Sequence, residues 1–226
     1  MTALQIKLND ILYLKDPQST ELGQKIIRES ISMIDELGFE AFTFKKLSGN
    51  IDSTEASIYR YFENKHRLLV YLITWYWTWL EYKIAFETNN INDIVAKLET
   101  ALKIISQKKE QDKAFPDVNE PALQRIVISE SDKVYLTKRV DKDNKVGLFK
   151  GYKSLCHQIS ELVIAINPAY LYPHSLISTA LEAANQQIFF ANHLPSLTES
   201  SKAEDVFAHN FQFLKSLVFD AIKVKK

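Results

Sequence analysis

Apolar residues recur every three or four positions along most of this 226-residue chain, and that helical spacing constrains the fold more than any other feature. Only five glycines and six prolines interrupt it, and the strict alternation typical of half-buried strands is missing. One such helix is predicted between Thr20, a residue type that caps helix N-termini, and Gly38, a type that closes helices. The sequence therefore predicts an all-α protein, long enough to bury a full core.

Charge and cysteine content limit what the chain can do. Its 28 basic and 28 acidic residues balance, so any attraction to nucleic acid must come from a local patch. A single cysteine, Cys156, excludes an internal disulfide and a multi-cysteine zinc site. The chain has neither a signal-like start nor an apolar run of bilayer length, so we expect a cytoplasmic protein with no membrane partner.

The stretch TFKKLSGNIDSTEASIYRYFENKHR, residues 43–67, contains two short helical patterns. Phe44 and Leu47 lie three apart in the first, and Ile58 and Phe62 lie four apart in the second, so each helix has one apolar stripe. The Asn, Asp, Ser and Thr residues between the two patterns are turn formers and helix caps. This order of elements predicts a helix-turn-helix.

The same stretch resembles the signature of the TetR-like bacterial transcriptional regulators. The matching residues are Thr43, Leu47, the run Ile58-Tyr59-Arg60-Tyr61-Phe62, Asn64-Lys65 and Leu68-Leu69. The resemblance covers roughly residues 20–70. It implies a DNA-binding domain over residues 20–66, followed by a helical domain over residues 67–226 that dimerises and binds an effector.

The resemblance also implies roles for individual residues. The second helix of the motif, about residues 53–62, is expected to lie in the major groove of DNA. The side chains expected to read base edges are Thr54, Glu55, Ser57 and Arg60. Those expected to contact phosphates are Thr43, Lys45, Lys46, Tyr59 and Lys65.

Three positions depart from the family pattern. Asp52 takes the place of the usual turn glycine, Ser53 that of a small apolar residue, and Glu55 that of a neutral or basic residue. Glu55 can accept a hydrogen bond from a cytosine amino group, but it repels phosphate. Residues 43–67 still hold five Lys or Arg against three Asp or Glu, a local charge of +2. The departures leave a second interpretation open: a dimeric helical sensor or interaction protein that has lost DNA binding.

A long helix rich in aromatic side chains is predicted over residues 64–87. Trp75 and Trp79 lie four apart, the spacing of an ordinary core stripe. Aromatic walls are also typical of sites for apolar ligands, so such rings can alternatively line an effector cavity. The residues we select for that cavity wall are Trp75, Trp79, Tyr152 and His157.

The last two predicted helices, residues 174–193 and 198–224, carry stripes suited to a partner. Two such helices from each of two chains would form a four-helix bundle, unless the stripes pack only within one chain. A helix-turn-helix protein usually reads two half-sites as a dimer, so we expect a homodimer. The expected interface residues are Ala180, Ala183, Ala184, Phe207, Phe211, Leu214 and Val218.

Other segments have weaker patterns. Residues 1–19 are predicted to form an arm or a short helix, the charged run 107–113 a solvated surface, and residues 141–145 a loop. Further helices are predicted over residues 94–105, 122–129 and 148–166.

No pattern of catalytic or metal-ligating residues emerges from the sequence. Gly-rich phosphate loops, GxSxG and HExxH are absent. Glu63 and His66 have the spacing of a di-iron ligand pair, but they lie in the DNA-reading stretch and have no second pair. Cys156 and His157 are adjacent on a helix and therefore point apart. We predict no enzymatic activity, cofactor or metal.

The function predicted is transcriptional regulation. The chain is expected to be a ligand-responsive repressor that binds a palindromic double-stranded DNA operator as a homodimer. An unknown small apolar effector is expected to release it.

Overall fold

The computed structural model describes residues 5–223, and within that range the chain is helical and has no strand. This confirms the all-α prediction. Residues 1–4 of the predicted arm and the predicted helix end at residue 224 lie outside the described residues. The helices are α1 (Glu21–Leu37), α2 (Phe44–Asn50), α3 (Glu55–Tyr59), α4 (Lys65–Thr88), α5 (Ile94–Ser106), α6 (Glu120–Glu130), α7 (Asp132–Tyr135), α8 (Val140–Lys145), α9 (Lys150–Ile166), α10 (Pro173–His193) and α11 (Val206–Ile222).

The chain divides into two compact units. The first unit comprises the chain up to Trp77 together with Lys109–Gly151, and the second comprises Thr78–Lys108 and the chain from Tyr152 onward. Helix α4 therefore begins in the first unit and ends in the second. The helix-turn-helix stretch shares its unit with residues 109–151, a grouping that the sequence does not indicate.

Helix α1 is the central element of the first unit. The Thr20 hydroxyl accepts a hydrogen bond from the Gly23 amide at 3.1 Å and caps its start. Gly38 ends it with a φ of +77°, a left-handed conformation that favours glycine. A Cβ on Gly23 would lie 2.3 Å from the carbonyl oxygen of Pro17, so a glycine is needed where the 3-10 turn Pro17–Ser19 packs on α1.

Helix α6 packs on α1 and supports the turn that follows α1. Arg125 holds Asp35 of α1 with two hydrogen bonds of 2.8 and 2.6 Å. The buried Glu130 accepts a hydrogen bond from the Phe39 amide at 3.0 Å with one oxygen and one from Lys133 Nζ at 2.5 Å with the other. The segment between α1 and α2 is therefore positioned by a helix about 90 residues further along the chain.

Helices α5, α10 and α11 pack together in the second unit. Asn210 Nδ2 of α11 donates to the carbonyl oxygen of Ala184 in α10 at 2.8 Å, and Lys215 pairs with Glu99 of α5 at 2.6 Å. Helix α9 carries Cys156, which is 8% exposed. Its Sγ donates a hydrogen bond to the His174 carbonyl oxygen, and burial raises the pKa of its thiol.

Two sequence predictions about the fold are wrong, and a third has one exception. Residues 141–145, predicted as a loop, lie in helix α8, and its N-terminal Asp and C-terminal Lys residues suit the helix dipole. The last helix begins at Val206 rather than at residue 198, because two 3-10 turns and the Asp205 cap come first. The charged run 107–113 is exposed or half-buried as predicted except at Lys109, which is 2% exposed.

None of the helices described between residues 5 and 223 combines the length and apolar character needed to cross a lipid bilayer.

Candidate DNA-binding site

The helix-turn-helix is built by two capping threonines and a strained turn. Thr43 caps α2 by accepting from the Lys46 amide at 3.2 Å, and Thr54 caps α3 by accepting from the Ser57 amide at 3.2 Å. Between the helices, Asp52 has a φ of +51°, in the left-handed region that favours glycine. This explains why the family pattern has glycine there, and Asp is one of the residues that tolerates the conformation.

The inner face of the motif is fully packed. Phe44, Leu47 and Ile58 are each at most 4% exposed, as the apolar stripes predict. The Tyr59 ring meets the Phe44 ring edge to face at 5.1 Å, and this contact fixes the ring at the rim of the packed face. The packing holds α3 against α2, which leaves the opposite face of α3 in solvent.

The outer face of α3 carries the residues expected to read DNA. Thr54, Tyr59 and Arg60 are exposed, and Glu55 and Ser57 are half-buried. The Thr54 and Ser57 hydroxyls lie 2.9 Å apart and hydrogen-bond each other, so part of their capacity is used within the helix. Helix α3 is also shorter than the predicted 53–62, because it ends at Tyr59 and Arg60 is its C-cap.

Lys65 has a different position from the one expected of a phosphate contact. Its ammonium donates to the carbonyl oxygens of Phe39, Glu40 and Phe42, each at 3.1 Å, and lies 4.7 Å from the centre of the Phe39 ring. Three hydrogen bonds use all three donors of a lysine. Lys65 therefore joins the start of α4 to the turn before α2 and has no donor left for a phosphate in this structure.

Two other cations of the stretch also have acceptors within the chain. Lys46 Nζ donates to the Ala41 carbonyl oxygen at 2.8 Å. Arg67 lies 3.6 Å from the buried Asp143 and 3.8 Å from Glu63. Within the described residues, the side chains of Lys45 and Arg60 are exposed and have no such acceptor. Lys46 is exposed as well, and its single hydrogen bond leaves its charge and two donors available, so the cationic surface of the motif consists of Lys45, Lys46 and Arg60.

The four residues selected for an effector cavity have separate surroundings. Trp75 lines a cavity in the first unit. In the second unit, Trp79 is fully buried and Tyr152 donates to Glu182 at 2.6 Å. His157 is exposed, with its Nδ1 3.3 Å from His174 Nε2, and placing it on a cavity wall was wrong. No cluster of three potential metal ligands occurs in the described part of the chain.

The seven residues selected for a dimer interface fall into two groups. Ala180, Ala184, Leu214 and Val218 are at most 1% exposed within the single chain, because α10 and α11 pack against each other and against α5. Their assignment to a surface between two chains is therefore corrected. Ala183, Phe207 and Phe211 are half-buried and keep an accessible edge. Phe213, which the sequence reading missed, is 40% exposed.

Comparisons with solved structures identify the fold. A putative TetR-family transcription regulator from Shewanella sp. PV-4 matches with a TM-score of 0.60 at 14% identity, over 89% of this chain and 98% of that one. AibR, solved in complex with isovaleryl coenzyme A and operator DNA, matches with a TM-score of 0.59 at 11% identity, over 87% and 98%. This chain has the TetR-family fold.

The TetR-family fold does not by itself fix a function. The superantigen PfiT matches with a TM-score of 0.56 at 13% identity, over 89% of this chain and 97% of that one. No family model matches the sequence, and none of the curated proteins matches it. The function must therefore be argued from the residues of the site.

Proposed function

We propose that this protein is a transcription regulator that binds a double-stranded DNA operator through α2 and α3. The observation that carries the proposal is the outer face of α3, a short helix packed on α2, where Thr54 and Arg60 are exposed at the two caps and Glu55 is half-buried. A capped helix held at a fixed angle is what major-groove reading requires. Thr43 keeps its hydroxyl hydrogen for a phosphate, because its oxygen acts as the acceptor of the cap.

The phosphate contacts expected here are fewer than the sequence indicates. Lys45 and Lys46 supply exposed cations, with Arg60 beside them on the reading face, and Tyr59 and Thr43 supply hydroxyl groups. Each neutralised phosphate contributes about one released counterion, so two or three cations per chain give a shallow dependence of affinity on salt. A homodimer doubles the number of contacts, and we propose that specific binding depends on it.

The dimer is proposed to form through α10 and α11. Phe213 is 40% exposed and Leu197 56% exposed, while Phe207 and Phe211 are half-buried on the same helix as Phe213. Apolar side chains of this size in water are stabilised when a second surface covers them. A second copy of the chain offers the same side chains around a two-fold axis.

A small effector is proposed to control the DNA-bound state. The support is that AibR, which has this fold, was solved with both a small ligand and operator DNA. Helix α4 starts beside the helix-turn-helix, at Lys65, and continues into the second unit. A ligand that favours one position of α4 would shift the population of chains that fit the operator.

The deciding experiment is selection of bound fragments from the protein's own genome, followed by titration of the best fragment at about three salt concentrations. Lys45→Ala is expected to weaken binding and to lower the slope of log affinity against log salt by about 1 per half-site, whereas Arg60→Ala, at a base-reading position, should relax the sequence preference. Lys202→Ala, an exposed lysine of the second unit, is the matched control and should leave the slope unchanged.

A dimeric helical interaction protein without DNA binding is the second candidate. It is favoured by the intramolecular acceptors of Lys46, Lys65 and Arg67 and by the acidic Asp52 and Glu55 near the reading face. It predicts that no fragment is enriched and that Lys45→Ala changes nothing in residual DNA association. Enrichment of one fragment family would exclude it.

A further inference from the structure

The segment before α1 is packed against the first unit as a folded element. It contains two 3-10 turns, Asp10–Leu12 and Pro17–Ser19. Leu12 is 1% exposed, and Asn9 Nδ2 donates to the Val146 carbonyl oxygen at 3.2 Å. The segment therefore follows a fixed path, which fixes where its exposed side chains lie.

The path leads to Tyr61, the residue that follows the C-cap of α3. The Leu14 amide donates to the Tyr61 carbonyl oxygen at 2.8 Å. The Tyr61 and Thr20 hydroxyls lie 2.8 Å apart and share a hydrogen bond. The Lys15 ammonium lies 5.2 Å from the centre of the Tyr61 ring, within the range of a cation–π contact. Three contacts thus attach residues 14–20 to the C-terminal end of α3.

Lys15 keeps its charge and its donors available for an anion. Its side chain is exposed, and no carboxylate among residues 5–223 forms an ion pair with it. A contact with the face of a ring orients the ammonium group without giving its N–H donors an oxygen acceptor. Lys65 differs, because its ammonium donates to three carbonyl oxygens. Lys15, which no pattern in the sequence indicates, is therefore better placed than Lys65 to bind a phosphate.

The acid next to Lys15 in the chain has a structural role of its own. Asp16 Oδ1 accepts from the Gln18 amide at 2.9 Å and caps the turn Pro17–Ser19, and the residue is half-buried. The Lys15 side chain instead lies over Tyr61. The two opposite charges do not pair, so an anion that approaches Tyr61 meets the ammonium group.

Lys15 and Arg60 lie at the same end of α3. Arg60 is exposed at the C-cap and directly precedes Tyr61 in the chain. When a recognition helix lies in the major groove with its N-terminal residues on base edges, its C-terminal end lies near the phosphate backbone. A lysine held at that end offers a compact positive charge with three donors, which suits a phosphate oxygen.

We propose that Lys15 contacts a phosphate of the operator, so that residues 14–20 form part of the DNA-binding site. This inference rests on the proposed function, because it names a further contact with the same DNA. It adds one cation per chain to Lys45, Lys46 and Arg60. It also gives the segment before α1 a role, since its backbone and ring contacts hold the ammonium group at the end of α3.

The test is titration of the selected genomic fragment with the full-length protein at about three salt concentrations. Lys15→Ala should weaken binding to different fragments alike and lower the slope of log affinity against log salt by about 1 per half-site. Lys15→Arg keeps the charge and should retain the wild-type slope.

Lys7→Ala is the matched control, because Lys7 is an exposed lysine of the same segment. It lies two residues after Gln5, which lines a cavity together with Trp75. Trp75 is ten residues, or about 15 Å along α4, from Lys65 at the start of that helix. Lys7→Ala should therefore leave the salt slope unchanged.

Ethylation interference locates the contact on the DNA. Ethylation of one particular phosphate in each half-site should weaken binding by the wild type and by Lys7→Ala, but not by Lys15→Ala. Thermal unfolding separates this role from a structural one. Lys15→Ala should keep the wild-type Tm within about 1 °C, whereas a lysine that only covers Tyr61 would lower Tm and leave the slope unchanged.

Two outcomes would overturn the assignment, and they are distinguishable. A wild-type slope and interference pattern in Lys15→Ala, while Lys45→Ala lowers the slope, would refute the Lys15 contact alone. Failure of the wild type to bind any fragment saturably would refute it together with the proposed function.

Discussion

In the helix-turn-helix the apolar side chains are covered and the surface is polar, whereas α11 and the 3-10 turn Pro195–Leu197 before it leave large apolar side chains in solvent. Phe44, Leu47 and Ile58 are each at most 4% exposed, but Phe213 is 40% and Leu197 56% exposed. The same difference extends to charge, because Lys46 and Lys65 near the motif bind carbonyl oxygens of their own chain. The motif is stabilised by its own contacts, whereas Phe213 and Leu197 are left for the proposed dimer partner to cover. Five predictions test this contrast.

The largest effect is expected where the 3-10 turn Pro17–Ser19 meets α1. Gly23→Ala places a methyl group against the Pro17 carbonyl oxygen, and it should lower the free energy of unfolding by about 3 kcal/mol because backbone must move. Gly49→Ala is the matched control, since nothing lies within 4 Å of its Cβ position, and it should stabilise α2 by about 0.5–1 kcal/mol. Urea titrations of both variants measure the difference, and a tolerated Gly23→Ala would show that the turn is not fixed on α1.

Lys65→Met should lower stability by about 2 kcal/mol, because three carbonyl oxygens lose their donor. The salt dependence of DNA binding by the Lys65→Met variant should be the same as that of the wild type. Lys45→Met should behave in the opposite way, with unchanged stability and a salt slope reduced by about 1 per half-site. Denaturant titration and DNA titration of both variants decide the matter. A stable Lys65→Met protein with a reduced salt slope would restore the phosphate role predicted from the sequence.

The neighbours Phe213 and Leu214 should separate association from folding. Phe213→Glu is expected to weaken the proposed dimer at least about tenfold, measured by sedimentation at several concentrations, with little change in Tm of the monomer. Leu214→Ala is expected to lower stability by about 3 kcal/mol, since Leu214 is 0% exposed within one chain. If Phe213→Glu sedimented as the wild type does, α11 would not be at the interface.

Alkaline unfolding should report mainly on the first unit. Burial raises the pKa of Tyr71 and Tyr76 above the ordinary value of 10.0. Above that pH the unfolded chain loses phenolic protons that the folded chain keeps, so stability falls as pH rises, by up to about 1.4 kcal/mol per pH unit for each tyrosine. Tyr76→Phe should remove the contribution of one tyrosine to this slope. A slope unchanged from that of the wild type would refute this explanation.

The smallest effect is expected at the turn between α2 and α3. Asp52→Gly should raise stability by about 0.5 kcal/mol, because glycine adopts the observed φ of +51° without steric cost. Chemical denaturation measures the change. A loss of stability instead would mean that the Asp52 carboxylate makes a favourable contact that outweighs the strain.

Local patterns predicted the first unit best. Thr20 and Gly38 mark the ends of α1 as the sequence indicates, and the stripes of α2 and α3 are buried as expected. Such features depend on residues within one or two helical turns of each other. The role of Lys65 could not be predicted in this way, since its acceptors lie about 25 residues away in a turn whose path is set by Glu130 of α6.

Burial in α10 and α11 was predicted less well, for a related reason. Both helices have apolar residues around more than one face, so spacing alone does not show which face meets α5. Leu214 and Val218 were therefore assigned to a partner although α5 and α10 cover them, and Phe213 was missed. The cavity beside Trp75 was only partly anticipated, because Gln24 and Phe115 come together through packing rather than through spacing.

The buried state of Cys156 has a practical consequence for spectroscopy. A thiol that is 8% exposed and whose pKa is raised reacts slowly with maleimides and methanethiosulfonates at neutral pH, because the thiolate is the reactive species. A nitroxide can therefore be attached selectively to a second, exposed cysteine introduced as Tyr59→Cys, without removing the native one. In the proposed homodimer, dipolar distances between two such labels would follow the separation of the two α3 helices as a ligand is added.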